Sequence, residues 1–117
     1  MKKKNNTKIS DNNSKLYKMK LFDINTHSIY ICGKIDGIEN DQLIEIKNRK
    51  NRLFEFIPLY EKIQTEIYFR LTQLTTGKLI QNYNDTQSIF DIQSSDELWN
   101  TILIELIDAC NIIVSQL

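Results

Sequence analysis

At 117 residues, with 15 basic and 15 acidic side chains and a formal net charge of zero, the chain carries no global basic field that would pull it onto nucleic acid. A hydrophobic content of 41% and a charged content of 26% are ordinary for a globular protein, and the length suits a single domain with one core and no staples. Lys2 to Lys4 are followed by Asn and Thr instead of an apolar run, and no stretch reaches about 18 uninterrupted apolar residues. A soluble intracellular protein that does not span a membrane is therefore expected, in the cytoplasm or, in a eukaryotic or viral host setting, in the nucleus.

Residues 1–14 are polar, rich in Lys and Asn, with Ile9 their only aliphatic after the initiator Met. Such a segment cannot fill a core and is expected as a disordered tail, either solvated or acting as a basic arm on phosphate. The domain proper then occupies residues 15–117. Residues 15–22 place Tyr17, Met19 and Leu21 on one face with lysines between them, which predicts a strand near an edge, where lysine discourages foreign pairing. Residues 23–27 supply turn chemistry, and residues 28–38 are predicted as the second strand of a hairpin. Gly33 inside that strand marks a bulge or a close backbone approach. His27 is the sole histidine and is read as a turn residue. Cys32 and Cys110 are far apart, with no CxxC and no histidine nearby, so zinc is disfavoured and two reduced thiols in or near the core are expected.

The chain is organised around residues 33–47. They read as two strands joined by a polar turn, with Asp36 at the end of the first and Glu45 and Lys47 in the second. Side chains alternate along a strand, so Glu45 and Lys47 share one face while Ile44 and Ile46 share the other and are expected to fill the core. If the strands pair, Asp36 stands beside Glu45. Two carboxylates about 4 Å apart repel by about 4 kcal/mol at an effective dielectric near 20, and a dication between them reverses that cost. Mg²⁺ takes such oxygen ligands, and a lysine beside it can face a scissile phosphate and help the attacking water. After this second strand, predicted over residues 42–48, come Arg49, Lys50 and Arg52, either a solvated loop or a local contact to a nucleic-acid backbone.

Pro58 can open a helix, and residues 59–76 are predicted as one, with Ile63, Ile67, Leu71 and Leu74 as its core stripe and Gly77 as its stop. Tyr60, Gln64 and Tyr68 recur at steps of four and so look at one neighbour together. Glu61 in the first turn is favoured by the helix dipole and is a lesser metal candidate. Residues 78–83 and 86–93 are read as strands, the first parallel to its partner across the helix. Ser94 and Glu97 have the form of a capping box before a last helix whose stripe runs from Trp99 and Ile102 to Val114 and Leu117. Leu98, Ile104, Ile107 and Ile112 broaden that stripe, leaving room for a second copy or a partner chain.

Gly33-x-x-Asp36, then Glu45-Ile46-Lys47, then Gln64-x-x-x-Tyr68 together resemble the PD-(D/E)XK nuclease superfamily, in particular its RecB-type and viral-recombinase-like nucleases. The resemblance covers roughly residues 28–83. It implies an α/β fold, a restriction-endonuclease-like mixed sheet in the order β-β-β-α-β-β-α flanked by helices, with the N-terminal family helix and its acid missing. It also implies a Mg²⁺-dependent deoxyribonuclease, Mn²⁺ substituting, of the kind used in recombination and repair. Asp36 and Glu45 would be metal ligands with the Ile46 carbonyl as a third, Lys47 would stand at the water, and Gln64 and Tyr68 would support the lysine or the DNA. Two other readings stay open: a nuclease-like module that binds nucleic acid or protein without catalysis, and a small oligomeric interaction protein in which Glu45 and Lys47 are a solvated strand face.

Overall fold

The structure, a computed structural model, describes residues 15–117; the expected N-terminal tail, with Asp11, lies outside the described residues. Eight elements follow in order: β1 (Tyr17–Ile24), β2 (His27–Gly33), β3 (Gly37–Glu39), β4 (Gln42–Asn48), α1 (Leu59–Thr72), β5 (Thr76–Tyr83), β6 (Thr86–Gln93) and α2 (Asp96–Val114). The fold is mixed α/β, as expected. It differs in that the strands form two sheets, an antiparallel β1-β2 hairpin and a four-stranded sheet ordered β3-β4-β5-β6. The single strand anticipated over 28–38 is two, because β2 ends at Gly33 and β3 begins afresh at Gly37 to pair with β4.

Turn residues set this layout. Asn40 and Asp41 both adopt positive φ, 53° and 62°, the backbone that a two-residue hairpin connection requires and that Asn and Asp tolerate better than most residues. Asn25 and Asn84 do the same in the β1-β2 and β5-β6 turns. β4 and β5 are parallel, joined through α1, and β5 pairs antiparallel with β6. Gly77 stands at the start of the β4-β5 pairing opposite Leu43, where an added Cβ would lie 2.4 Å from the Leu43 carbonyl oxygen. It is therefore a glycine of close approach within a strand and not the helix stop expected. Gly77→Ala is expected to lower stability by about 3 kcal/mol, the upper part of the overpacking range, read as a fall in urea midpoint; an unchanged midpoint would contradict the packing.

α1 starts at Leu59, where its periodicity predicts, and stops sooner, at Thr72 instead of residue 76. Pro58 is the extended N-cap, φ −67° and ψ 156°, and its carbonyl accepts from Glu61 and Lys62. The helix ends at Gln73 in the left-handed conformation, φ 62°, four residues before Gly77. Its covered face also differs: Glu61, Thr65, Glu66, Phe69 and Leu71 are buried, while Ile63 and Ile67 are only half-buried. The acids can be buried because each has partners. Glu66 accepts from Arg70, from the Ser94 hydroxyl and from the Ser95 N–H, and Glu61 from Arg49. Ile35, Leu43 and Phe69 form the core, with Tyr17, Ile38, Tyr68, Leu74 and Ile92 packed around them.

Ser95, not Ser94, caps α2, its side chain accepting from the Leu98 N–H at 3.1 Å; Ser94 is instead spent on Glu66. α2 packs against α1 and β1, and only Ile102 along it is buried, with Ile104, Ile112, Ile113 and Leu117 exposed. Cys110 is half-buried and Cys32, expected near the core, is exposed on the hairpin. Among the described residues no helix is long and apolar enough to cross a membrane.

Candidate active site

The β3-β4 register builds the site. Gly37 pairs with Ile44 and Ile38 with Leu43, so one step further along the hairpin Asp36 stands opposite Glu45. The Asp36 carboxylate accepts the Ile46 N–H at 2.7 Å, closing the gap where β3 has ended and β4 continues. A strand residue turns its N–H and its C=O to the same side, so the Ile46 carbonyl also faces the Asp36 side, while Glu45 and Lys47 pair towards β5.

Glu45 and Lys47 share the face that carries Leu43, the face covered by α1. The expectation that Ile44 and Ile46 fill the core holds for Ile44 only: Ile44 is buried, Ile46 is 38% exposed, and on the other face Glu45 is 4% exposed. α1 lies over the acid because its own inward side is partly polar, presenting Gln64 and Tyr68 there. Lys47 Nζ is 3.1 Å from a Glu45 carboxylate oxygen and donates to the Gln64 side-chain oxygen. The Gln64 amide in turn donates to the Tyr68 hydroxyl at 3.3 Å. Gly33 admits the Tyr68 ring: a Cβ there would sit 3.1 Å from the ring edge. Five side chains from the β3 approach, β4 and α1 thus meet at one place.

Electrostatics follow from that burial. Desolvation first, then the neighbouring Asp36 charge, raises the Glu45 pKa to about 7, against the opposing pull of Lys47. Tyr68 is likewise pushed up, by desolvation and then by the Glu45 charge, and stays a neutral phenol at physiological pH. Glu45 Oε1 is buried and has no hydrogen-bond donor among the described residues. A buried acceptor without a donor is costly; while Glu45 keeps its proton it can hydrogen-bond Asp36, and once both are ionised a cation shared between them is the partner the two carboxylates suit. Among the described residues no group of three or more His, Cys, Asp or Glu gathers into a metal cluster, so protein ligands would come from this pair and backbone oxygen, as hard-cation sites that retain water and substrate oxygens allow.

The basic cluster divides. Arg49 is turned inward, its side chain 8% exposed, donating to both Glu61 oxygens, one at 2.9 Å, and to Gln81 at 2.8 Å, with its guanidinium 3.8 Å from the Phe54 ring centroid. It is a structural clamp between β4 and α1, which leaves Lys50 and Arg52 as the exposed cations of the three. Glu61, expected as a surface residue leaning towards a metal, is the buried other half of that clamp, 2% exposed. Tyr60 does not join Gln64 and Tyr68 but is 67% exposed, one turn nearer the helix start.

Sequence reasoning missed Gln81. It is fully buried, accepting from the Phe54 N–H and donating to the Phe54 carbonyl, so it fastens the loop between β4 and α1. A signal was present, since Gln81 falls in alternation with Gly77 and Leu79 on the inward face of β5.

No family model and no curated protein matches the sequence. Among solved structures the chain is similar to the crystal structure of SSO0001, with 26% identity and a TM-score of 0.59 over 77% of this chain and 45% of that one. The chain thus spans less than half of that protein's length.

Proposed function

We propose that the protein is a metal-dependent nuclease that hydrolyses phosphodiester bonds of DNA. The observation that carries this reading is the meeting of Asp36 and Glu45 with Lys47, and of Lys47 with Gln64 and Tyr68, around a buried carboxylate oxygen that lacks a donor. Asp36, Glu45 and the Ile46 carbonyl would hold Mg²⁺ or Mn²⁺, which when bound supplies positive charge to a phosphate and a means of activating water. Lys47 is held by Glu45 and Gln64, so its ammonium is oriented before substrate arrives and is placed to meet the charge that develops on the phosphate. Gln64, fixed from behind by Tyr68, positions that lysine. Lys50 and Arg52, on the loop after β4, are the cations available to neighbouring phosphates, each contact adding salt dependence.

The test is calorimetric titration of Mg²⁺ and Mn²⁺ into the wild type and Glu45→Ala, with cleavage of linear and circular DNA by the same pair. Saturable binding lost in the variant, with cleavage reduced by about 10²-fold or more, is the expected result. Wild-type protein that binds neither ion would leave a nuclease-like binding module in place of an enzyme.

A further inference from the structure

The loop between β4 and α1 and the first turn of α1 enclose an open groove of about 580 Å³, lined by Arg52, Phe54, Glu55, Phe56, Pro58 and Tyr60. That volume lies within the ~300–1,000 Å³ usual for ligand sites. Three of its six lining residues are aromatic, and two of them spend little of their ring on the protein: Phe56 is 74% exposed and Tyr60 67%. Exposed rings grouped beside one groove, Phe56 on the loop and Tyr60 in the first turn of α1, are the kind of apolar patch that marks a binding site. The loop is fastened: Gln81 bonds both the N–H and the carbonyl of Phe54, and the Arg49 guanidinium supports the Phe54 ring from one side. Arg52 lies 5.3 Å from the same ring centroid.

We propose that this groove is a stacking subsite for unpaired nucleobases, so that nucleic acid reaches the Asp36, Glu45 and Lys47 site as a single strand; the proposal rests on the nuclease reading and names its substrate class. Three observations select that occupant. Tyr60, on the groove wall, and Gln64, which holds Lys47, are four residues apart on α1, about one helical turn. The lining carries three aromatic rings and a guanidinium, groups on which bases stack without sequence preference. Of the two charged lining residues, Arg52 suits backbone phosphate, whereas Glu55 repels phosphate and accepts from base amino groups, so bases fill the groove while phosphates pass on the Arg52 and Lys50 side. A duplex keeps its base faces stacked on one another and offers the rings nothing.

The experiment is fluorescence anisotropy in EDTA, where no cleavage occurs, with a labelled oligo(dT), an abasic oligomer of equal length and a blunt duplex, on wild type and on Phe56→Ala/Tyr60→Ala. The wild type is expected to bind oligo(dT) about 10-fold or more tighter than the abasic strand, as stacking on one or two rings implies. The double variant, its folding checked by circular dichroism, is expected to lose that preference while holding the abasic strand as the wild type does. Equal wild-type affinity for the two strands, a preference for the duplex, no binding at all, or a double variant that keeps the preference would each overturn the subsite. Cleavage with Mg²⁺ by both proteins separates the two ideas: a preference for bases without any cleavage counts against the nuclease reading, and cleavage without that preference counts against the groove.

Discussion

Glu45→Gln is expected to make the metal-free protein more stable than wild type at pH 8, with the difference vanishing by about pH 4. In the folded chain Glu45 holds its proton up to about pH 7, against an ordinary value of 4.5. Between those values the folded state binds more protons than the unfolded one, so stability falls as pH rises, and the full cost is reached above pH 7. A gap of about 2.5 pH units at 1.36 kcal/mol per unit gives about 3 kcal/mol. Glutamine keeps the shape, offers its oxygen to Lys47 and its amide to Asp36, and never ionises. Urea midpoints measured across that range in EDTA check this: wild type should descend between pH 4.5 and 7 relative to the variant, and parallel curves would remove the buried acid as the cause. On the proposed nuclease function the same substitution is expected to reduce cleavage sharply, and a more stable but less active variant would identify the carboxylate as held there for function at the expense of stability.

Removing one half of the Arg49 and Glu61 clamp should be the most destabilising change outside the core. Both side chains are nearly excluded from water and joined by two hydrogen bonds. Glu61→Ala leaves a buried guanidinium with only Gln81 and the Phe54 ring, and breaking a buried pair in this way costs about 3–5 kcal/mol, which for a chain of this size is a Tm fall of more than about 10 °C. The double variant Arg49→Met/Glu61→Leu, which removes both charges, should recover much of that loss, because apolar side chains of similar volume need no desolvation. A double variant no better than Glu61→Ala would show that the Arg49 contacts to Gln81 and Phe54 outweigh the ion pair.

How much of this was legible in the residues differs from place to place. β4 appears over the residues predicted, 42–48, because alternation from Ile44 to Lys47, bounded by a polar turn and a basic loop, leaves few other readings. The parallel return of β5 followed from a strand, a helix and a strand in succession. That Asp36 stands beside Glu45 is legible only if the strands pair; the two-residue connection at 40–41 that fixes their register comes from the structure. The role of Gly33 was half legible: close approach was expected, but that the approaching group is the Tyr68 ring depends on how α1 crosses the hairpin. The covered face of α1 departs from its hydrophobic stripe because two of its buried positions are acids. Glu61 and Glu66 are buried through partners at 49, 70, 94 and 95, and no local pattern announces a partner that distant. The same holds for Arg49, whose charge is indistinguishable in sequence from that of Lys50 and Arg52.

The sequence by itself determined what short-range physics governs: the alternation of β4, the αL-tolerant turns at Asn25, Asn40 and Asn84, the helical row of Gln64 and Tyr68, and with them the set of side chains able to form the site. Tertiary structure alone decided which face of the sheet α1 would cover, and therefore that Glu45 is buried and its pKa raised, that Arg49 faces inward, and that Phe56 and Tyr60 are left in water. Burial and pairing depend on contacts between segments far apart in the chain, where a desolvated charge survives only if its partner arrives at the same point in space.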